Sequence, residues 1–302
     1  MRRWSHFPTD NSDRAVRRWL CELLGSSGLA MAEDARECAG ITDRLMAGLD
    51  DRSRILLEAV DRRYDEAELN WIGAGLDRLL AGEPVQYVVG WTEFRGLRIA
   101  CGPEALIPRP ETEEVVSWFL EGLDGISSAV DAPITVVDVG TGTGCMALSI
   151  KAARPHWRVM GLDVSPGALD MARRNAETLG LEVEWLAADF LTLGSDGWPQ
   201  RVHGIVSNPP YIPRGEAASM DDHVALMEPG LALFVPDDDP LCFYRGLLEA
   251  ARNCLNPVGC MVAECHREFT REVADCWQLE GAQSEVLSDL QGAERAVRQI
   301  RH

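Results

Sequence analysis

The feature that most constrains this chain is an apolar run that stops at an acid, breaks into alternating glycines and resumes as an apolar helix. It reads ITVVDVGTGTG (134–144) and then CMALSIKAA (145–153). A strand apolar at every position has both faces covered, which points to a sheet buried between helical layers. The same alternation repeats downstream. Strand-like runs are expected at Ile134–Asp138, Arg158–Asp163, Val183–Ala187, Gly204–Ser207 and Gly259–Ala263, with helices such as Ser165–Leu179 and Cys242–Asn253 between them. Strand and helix in turn give an α/β fold with a mostly parallel, doubly wound sheet. Ligands of such sheets bind beyond the carboxyl ends of the strands.

The residues at those ends carry chemistry. Glycines at 140, 142 and 144 let the backbone turn tightly and approach a ligand that side chains would exclude. Such a loop, here Gly140-Thr141-Gly142-Thr143-Gly144, serves NAD, FAD and S-adenosylmethionine (SAM) alike. The next strand ends in Asp163, at the spacing where an acid accepts from ribose hydroxyls. The third ends in Asp189 and Phe190, suited to an adenine amino group and ring. Three successive strand ends of this kind point to an adenosine-bearing cofactor. The fourth runs into Asn208-Pro209-Pro210-Tyr211. Two prolines remove two backbone donors and leave an acceptor-rich end. The Asn208 side-chain oxygen and the Pro209 carbonyl together complement an –NH₂ group, and Tyr211 adds an aromatic face for a planar amide or base.

Ahead of this half, residues 1 to 82 read as helices. Ser12 and Asp13 suit a helix start before the stripe Val16, Trp19, Leu20, Leu23 and Leu24. Leu69, Ile72, Leu76, Leu79 and Leu80 repeat at helical steps, and Gly82 sits where a helix ends. Residues 83–108, rich in β-branched and aromatic side chains, suggest a hairpin connector, and Pro110 suits the first turn of a helix beginning near Glu111. The expected domains are therefore 1–82, a helical substrate-recognition domain, then 83–108, then 109–302, the catalytic domain.

Together, DVGTGTG, GLDVSPGALDMARRNA and IVSNPPYI resemble SAM-dependent methyltransferases of planar nitrogen. GEPVQYVVGWTEFRGL, LIPRPETEEVV, MEPGLAL and SDLQGAERAV are more specific. They resemble the HemK/PrmC family, which methylates the amide nitrogen of the glutamine in the GGQ motif of peptide-chain release factors. The resemblance covers about residues 66–302. It implies a Rossmann-like methyltransferase domain in which Gly140–Gly144 hold the methionine part of SAM, Asp163 its ribose, and Asp189 and Phe190 its adenine. It also implies that Asn208, Pro209, Pro210 and Tyr211 receive the glutamine. A sister group acting on a ribosomal protein differs at RPETE. Two segments depart from the family pattern: FVPDDDPL (234–241), and Glu264 followed by Cys265 and His266 instead of a nearby glycine.

Charge bears on the alternatives. The 48 acids against 29 bases give −19, and Lys151 is the only lysine. A duplex-binding surface is usually basic, so this balance argues against methylation of adenine in nucleic acid, and no direct nucleic-acid binding is expected. N-P-P-Y argues against an oxidoreductase. The nine scattered cysteines lack C-x-x-C spacing, and Cys254, Cys260, Cys265 and His266 match no common zinc pattern, so no metal is expected. No apolar stretch is long enough to span a bilayer, and the two N-terminal arginines precede no apolar core. A soluble, cytoplasmic monomer whose partner is a release factor is the expectation.

Overall fold

The computed structural model describes residues 7–29, 32, 34–53, 62–126, 133–193, 197–198, 201–220, 226–278 and 282–301. The reading of the N-terminus as lacking a leader rests partly on residues 1–6, which lie outside that set. The chain forms two compact units, one of residues 1–91 with 219–228 and one of 92–218 with 229–302.

The first unit is helical: α1 (Asp13–Gly25), α2 (Ala35–Ser53), α3 (Glu66–Leu80) and the short α4 (Val85–Val89). The Ser12 hydroxyl accepts from the Ala15 N–H and starts α1. Asp65 and Glu68 form a reciprocal capping box at α3, and Gly82 follows its end with φ +87°. Val16, Leu20, Leu24, Leu45, Met46, Ile72, Leu76 and Leu79 form its core. The stretch 85–89, read from its β-branched residues as part of a hairpin, is a helical turn instead. Pro84 precedes it, Gly90 closes it at φ +87°, and Val85 and Val88 join the helical core, so burial overrides β-propensity. The hairpin is confined to β1 (Trp91–Phe94) and β2 (Leu97–Ala100). Between them Arg95 and Gly96 both take positive φ, +48° and +73°, as a two-residue type I′ turn requires.

The second unit is built on seven strands in the order β10-β11-β9-β6-β3-β4-β5. They are β3 (Thr135–Val139), β4 (Arg158–Asp163), β5 (Glu184–Ala187), β6 (Val202–Ser207), β9 (Leu255–Glu264), β10 (Ala282–Ser288) and β11 (Glu294–Arg301). All run one way except β11, which pairs antiparallel with both neighbours. This is the Rossmann-like, doubly wound fold. Val136, Val206 and Val262 face a layer made by α5 (Thr112–Ile126), α6 (Cys145–Ala153) and α7 (Pro166–Leu179). Val137, Ile205 and Met261 face the opposite layer, made by α9 (Cys242–Cys254) and α10 (Thr270–Cys276). A small helix α8 (Gly230–Leu233) and the two-residue strands β7 (Ile212–Pro213) and β8 (Phe234–Val235) complete the described elements used below. Strand order reverses between β3 and β6, which opens a crevice at their carboxyl ends.

Candidate active site

A cleft lies at that crevice, wholly within the second unit. Its floor is the loop after β3, where Gly140, Gly142 and Gly144 take φ of +72°, +55° and +80°. Side chains rarely adopt such angles. The amides of Gly140 and Thr141 both donate to the Leu162 carbonyl, at 2.8 and 2.9 Å, so β4 holds the loop down. Beneath it Gly161 and Trp185 are register partners across β4 and β5. A Cβ on Gly161 would come within 2.3 Å of the Trp185 ring, and one on Gly144 within 2.9 Å. These two glycines therefore make room for the indole that supports the loop.

Asp138 anchors the loop from inside. It is fully buried, and one of its oxygens accepts from the Thr141 hydroxyl at 2.6 Å and the Ala147 amide at 3.1 Å. The other oxygen has no partner. Burial pushes this carboxyl up to about 7, against the pull of those two bonds.

The strand-end acids differ in state. Asp163 lines the cleft and accepts from the amides of Gly142 and Ser165, each at 2.8 Å. Burial raises its pKa, and the backbone donors oppose the rise. Asp189 is exposed at the rim and accepts from the Leu191 amide at 3.0 Å. Phe190 stands beside Phe243, ring centres 6.0 Å apart, and both line the cleft.

At the end of β6, Asn208 and Pro210 line the cleft together with Gly140–Thr143, Asp163, Asp189 and Phe190. Gly144, Pro209 and Tyr211 are not among its lining residues. Gly144 instead caps α6, and the Tyr211 hydroxyl donates to Glu264 Oε1 at 3.2 Å. Asn208 Nδ2 donates to the Thr112 hydroxyl at 3.2 Å, and that hydroxyl donates to Glu264 Oε2 at 2.7 Å. Glu264 is fully buried at the end of β9, and burial raises its pKa against the bonds from Thr112 and Tyr211 and the charge of Arg295. The same surroundings hold the Tyr211 phenol above its ordinary range.

Sequence reasoning passed over Thr112 and noted Glu264 only as a departure from a pattern. It also treated 104–108 as connector, whereas Glu104 to Arg109 form a wall of the cleft. The signal for that wall was present in LIPRPETEEVV, which the resemblance covers, but nothing local marks it as a ligand surface.

The residues present fit SAM. A Cβ on Gly140 would meet no protein atom within 4 Å, so the floor is open on its cleft side. A half-buried carboxylate whose backbone donors leave lone pairs over suits a vicinal diol. Phe190, Phe243 and Leu231 offer apolar surface for a planar base.

A family model described as "Methyltransferase small domain" matches residues 125–227. A release factor glutamine methyltransferase of Bacteroides thetaiotaomicron is 37% identical over 73% of this chain and 77% of its own length. Proteins of the same description from Deinococcus radiodurans (39% identical, 74% of this chain, 76% of that one) and Flavobacterium psychrophilum (33%, 80% and 84%) are similar too. Among solved structures, a methyltransferase from Pyrococcus furiosus aligns with a TM-score of 0.47 at 17% identity, over 68% of this chain and 89% of that one.

Proposed function

The chain belongs to the release factor glutamine methyltransferase family, and from that premise we propose how its own residues carry out methyl transfer to the glutamine amide of a release-factor GGQ motif. The observation that carries the reading is the joint lining of one cleft by the glycine loop, Asp163 and Asn208. Cofactor-holding and amide-binding groups are thereby within reach of one another.

When bound, SAM supplies an electrophilic methyl group on its sulfonium. Gly140 to Thr143 hold its methionine part, with Gly144 shaping the loop from behind, Asp163 accepts from the ribose hydroxyls, and Asp189 and Phe190 take the adenine. The Asn208 side-chain oxygen and the Pro209 carbonyl accept from the two hydrogens of the substrate –NH₂, with Pro210 and Tyr211 completing the receptor. An amide nitrogen is a poor nucleophile because its lone pair is delocalised into the carbonyl. Two fixed acceptors orient the nitrogen toward the methyl carbon and favour the pyramidal geometry that frees the lone pair. Positioning and this polarisation supply the acceleration. The N–CH₃ bond forms as the S–CH₃ bond breaks, and the cationic amide then loses its proton to water, so no side chain is assigned as a general base.

Residues 1–82 are assigned to recognition of the release factor and 83–108 to the link, whose end from Glu104 onward also walls the cleft. The protein acts in the cytoplasm, as a monomer, on a protein partner and not on nucleic acid. In support, no helix among the described residues is long and apolar enough to cross a membrane, and the net charge is −19.

The test is mass spectrometry of an intact release factor after incubation with this protein and SAM. One added methyl on the GGQ glutamine is expected. Asn208→Ala should remove it, with a loss of about 3 kcal/mol in transition-state stabilisation while SAM still binds. Activity of that variant within about tenfold of the parent overturns the role of Asn208.

A further inference from the structure

Asn208 is useful to a glutamine amide only if its oxygen, and not its nitrogen, faces the cleft. The two ends of a carboxamide are nearly the same size, so shape alone does not choose between them. The choice falls to whatever bonds the other end. That partner is the Thr112 hydroxyl, 3.2 Å from Asn208 Nδ2, on the first turn of α5.

A hydroxyl has one proton to give. Thr112 stands 2.7 Å from Glu264 Oε2, a carboxylate oxygen that accepts and cannot donate while ionised. With Glu264 ionised, as the nearby charge of Arg295 favours, the proton of Thr112 is committed to Glu264, and only a lone pair is left for Asn208. A lone pair selects the –NH₂ end of the amide, since the oxygen end would meet it acceptor to acceptor. The other Glu264 oxygen accepts from the Tyr211 hydroxyl, and the Glu264 backbone carbonyl accepts from Tyr244 at 3.2 Å. One buried carboxylate thus ties Asn208 and Tyr211, the two ends of the N-P-P-Y segment, to α5 and β9. Thr112 and Glu264 are both buried, which protects the chain of bonds from competing water.

We infer that Thr112 and Glu264 are positioning residues that turn the Asn208 oxygen toward the substrate amide through a chain of directed hydrogen bonds. The inference rests on the reading of Asn208 given above. It assigns Thr112 and Glu264 a place in kcat, and none in cofactor binding.

The experiment uses the full chain, SAM and an intact release factor, with four variants: Thr112→Val, Thr112→Ser, Glu264→Gln and Asn208→Ala. For each, kcat, KM for the release factor, SAM affinity by titration calorimetry and the melting temperature are measured. Valine keeps the shape of threonine without the hydroxyl, and serine keeps the hydroxyl. Thr112→Val and Glu264→Gln are expected to lower kcat by about 10- to 100-fold, as loss of an orienting outer partner does at metal ligands, with SAM affinity within about twofold. Thr112→Ser should return kcat to within a few fold of the parent. The Thr112→Val, Glu264→Gln double variant should be no worse than the more damaged single one, because both act through one chain.

Should the valine variant fold poorly, the near-isosteric Glu264→Gln, judged at unchanged SAM affinity, decides the matter alone. Near-parental kcat in Thr112→Val or Glu264→Gln, with Asn208→Ala inactive, overturns the chain of bonds and leaves the reading of Asn208 standing. Multiplicative losses in the double variant, or no recovery with serine, overturn it as well. An active Asn208→Ala overturns both readings together.

Discussion

Replacing Asp163 by alanine should separate cofactor binding from chemistry. Its carboxylate has about four acceptor positions, and the amides of Gly142 and Ser165 occupy two of them at 2.8 Å. Lone pairs that these amides do not hold are available to a ribose diol on the cleft side. A hydrogen bond to a charged acceptor contributes about 1.5 kcal/mol at the lower end of its range, so losing two costs about 3 kcal/mol. That corresponds to a rise in Kd for SAM of about 150-fold. Asp163→Asn keeps one acceptor oxygen and should fall between, with a rise of about tenfold. Titration calorimetry of SAM into each variant measures this directly, and kcat at saturating SAM should change by less than about threefold. Sign and pH follow from the environment. Burial raises the Asp163 pKa, and the diol favours the ionised form, so SAM affinity should be full above that raised pKa and decline as pH falls through it. The decline should be absent in Asp163→Asn. Unchanged SAM affinity in Asp163→Ala would refute the assignment of the second strand end.

Two further outcomes are expected. Asp138 has a folded-state pKa of about 7 against an ordinary 3.8, so its contribution to stability is present below the unfolded value and is lost as pH rises through 7, by up to about 4 kcal/mol. Denaturant unfolding of the ligand-free protein at pH 5 and pH 8 should show the part of this loss that falls between them, about 2.6 kcal/mol, in the parent and a smaller one in Asp138→Asn; equal losses would place the cause elsewhere. The charge of −19 should steer a release factor whose GGQ region works beside ribosomal RNA and so needs a basic surround. Its kcat/KM should fall as salt rises, whereas a short GGQ peptide should be a poorer substrate with a flatter salt dependence, and equal slopes for the two would remove steering as an explanation.

What the sequence determined by itself is whatever is local along the chain. The GTGTG turn is legible because positive φ at 140, 142 and 144 calls for glycine. The start of α1 and the end of α3 are legible because caps act within a few residues. The parallel strands are legible because burial on both faces leaves a mostly apolar run, as in β3, which is buried at every position. β10 and β11 carry no such mark: β10 reads AQSEVLS with alternating exposure, and only its pairing with β11 completes the sheet. The helical turn at 85–89 also contradicts its composition, because the helical core sets the outcome there. The site divides the same way. Asp163 and Asn208 stand at strand ends and can be singled out by position, but nothing near Thr112 in sequence says that it will meet Glu264, 152 residues on, or Asn208, 96 residues on. Those bonds exist because Gly204–Ser207 of β6 pair with Cys260–Ala263 of β9 and α5 packs across them, which brings three separate segments to one crevice. Pairing and packing are sums over many weak contacts spread along the whole chain, and no short motif encodes them.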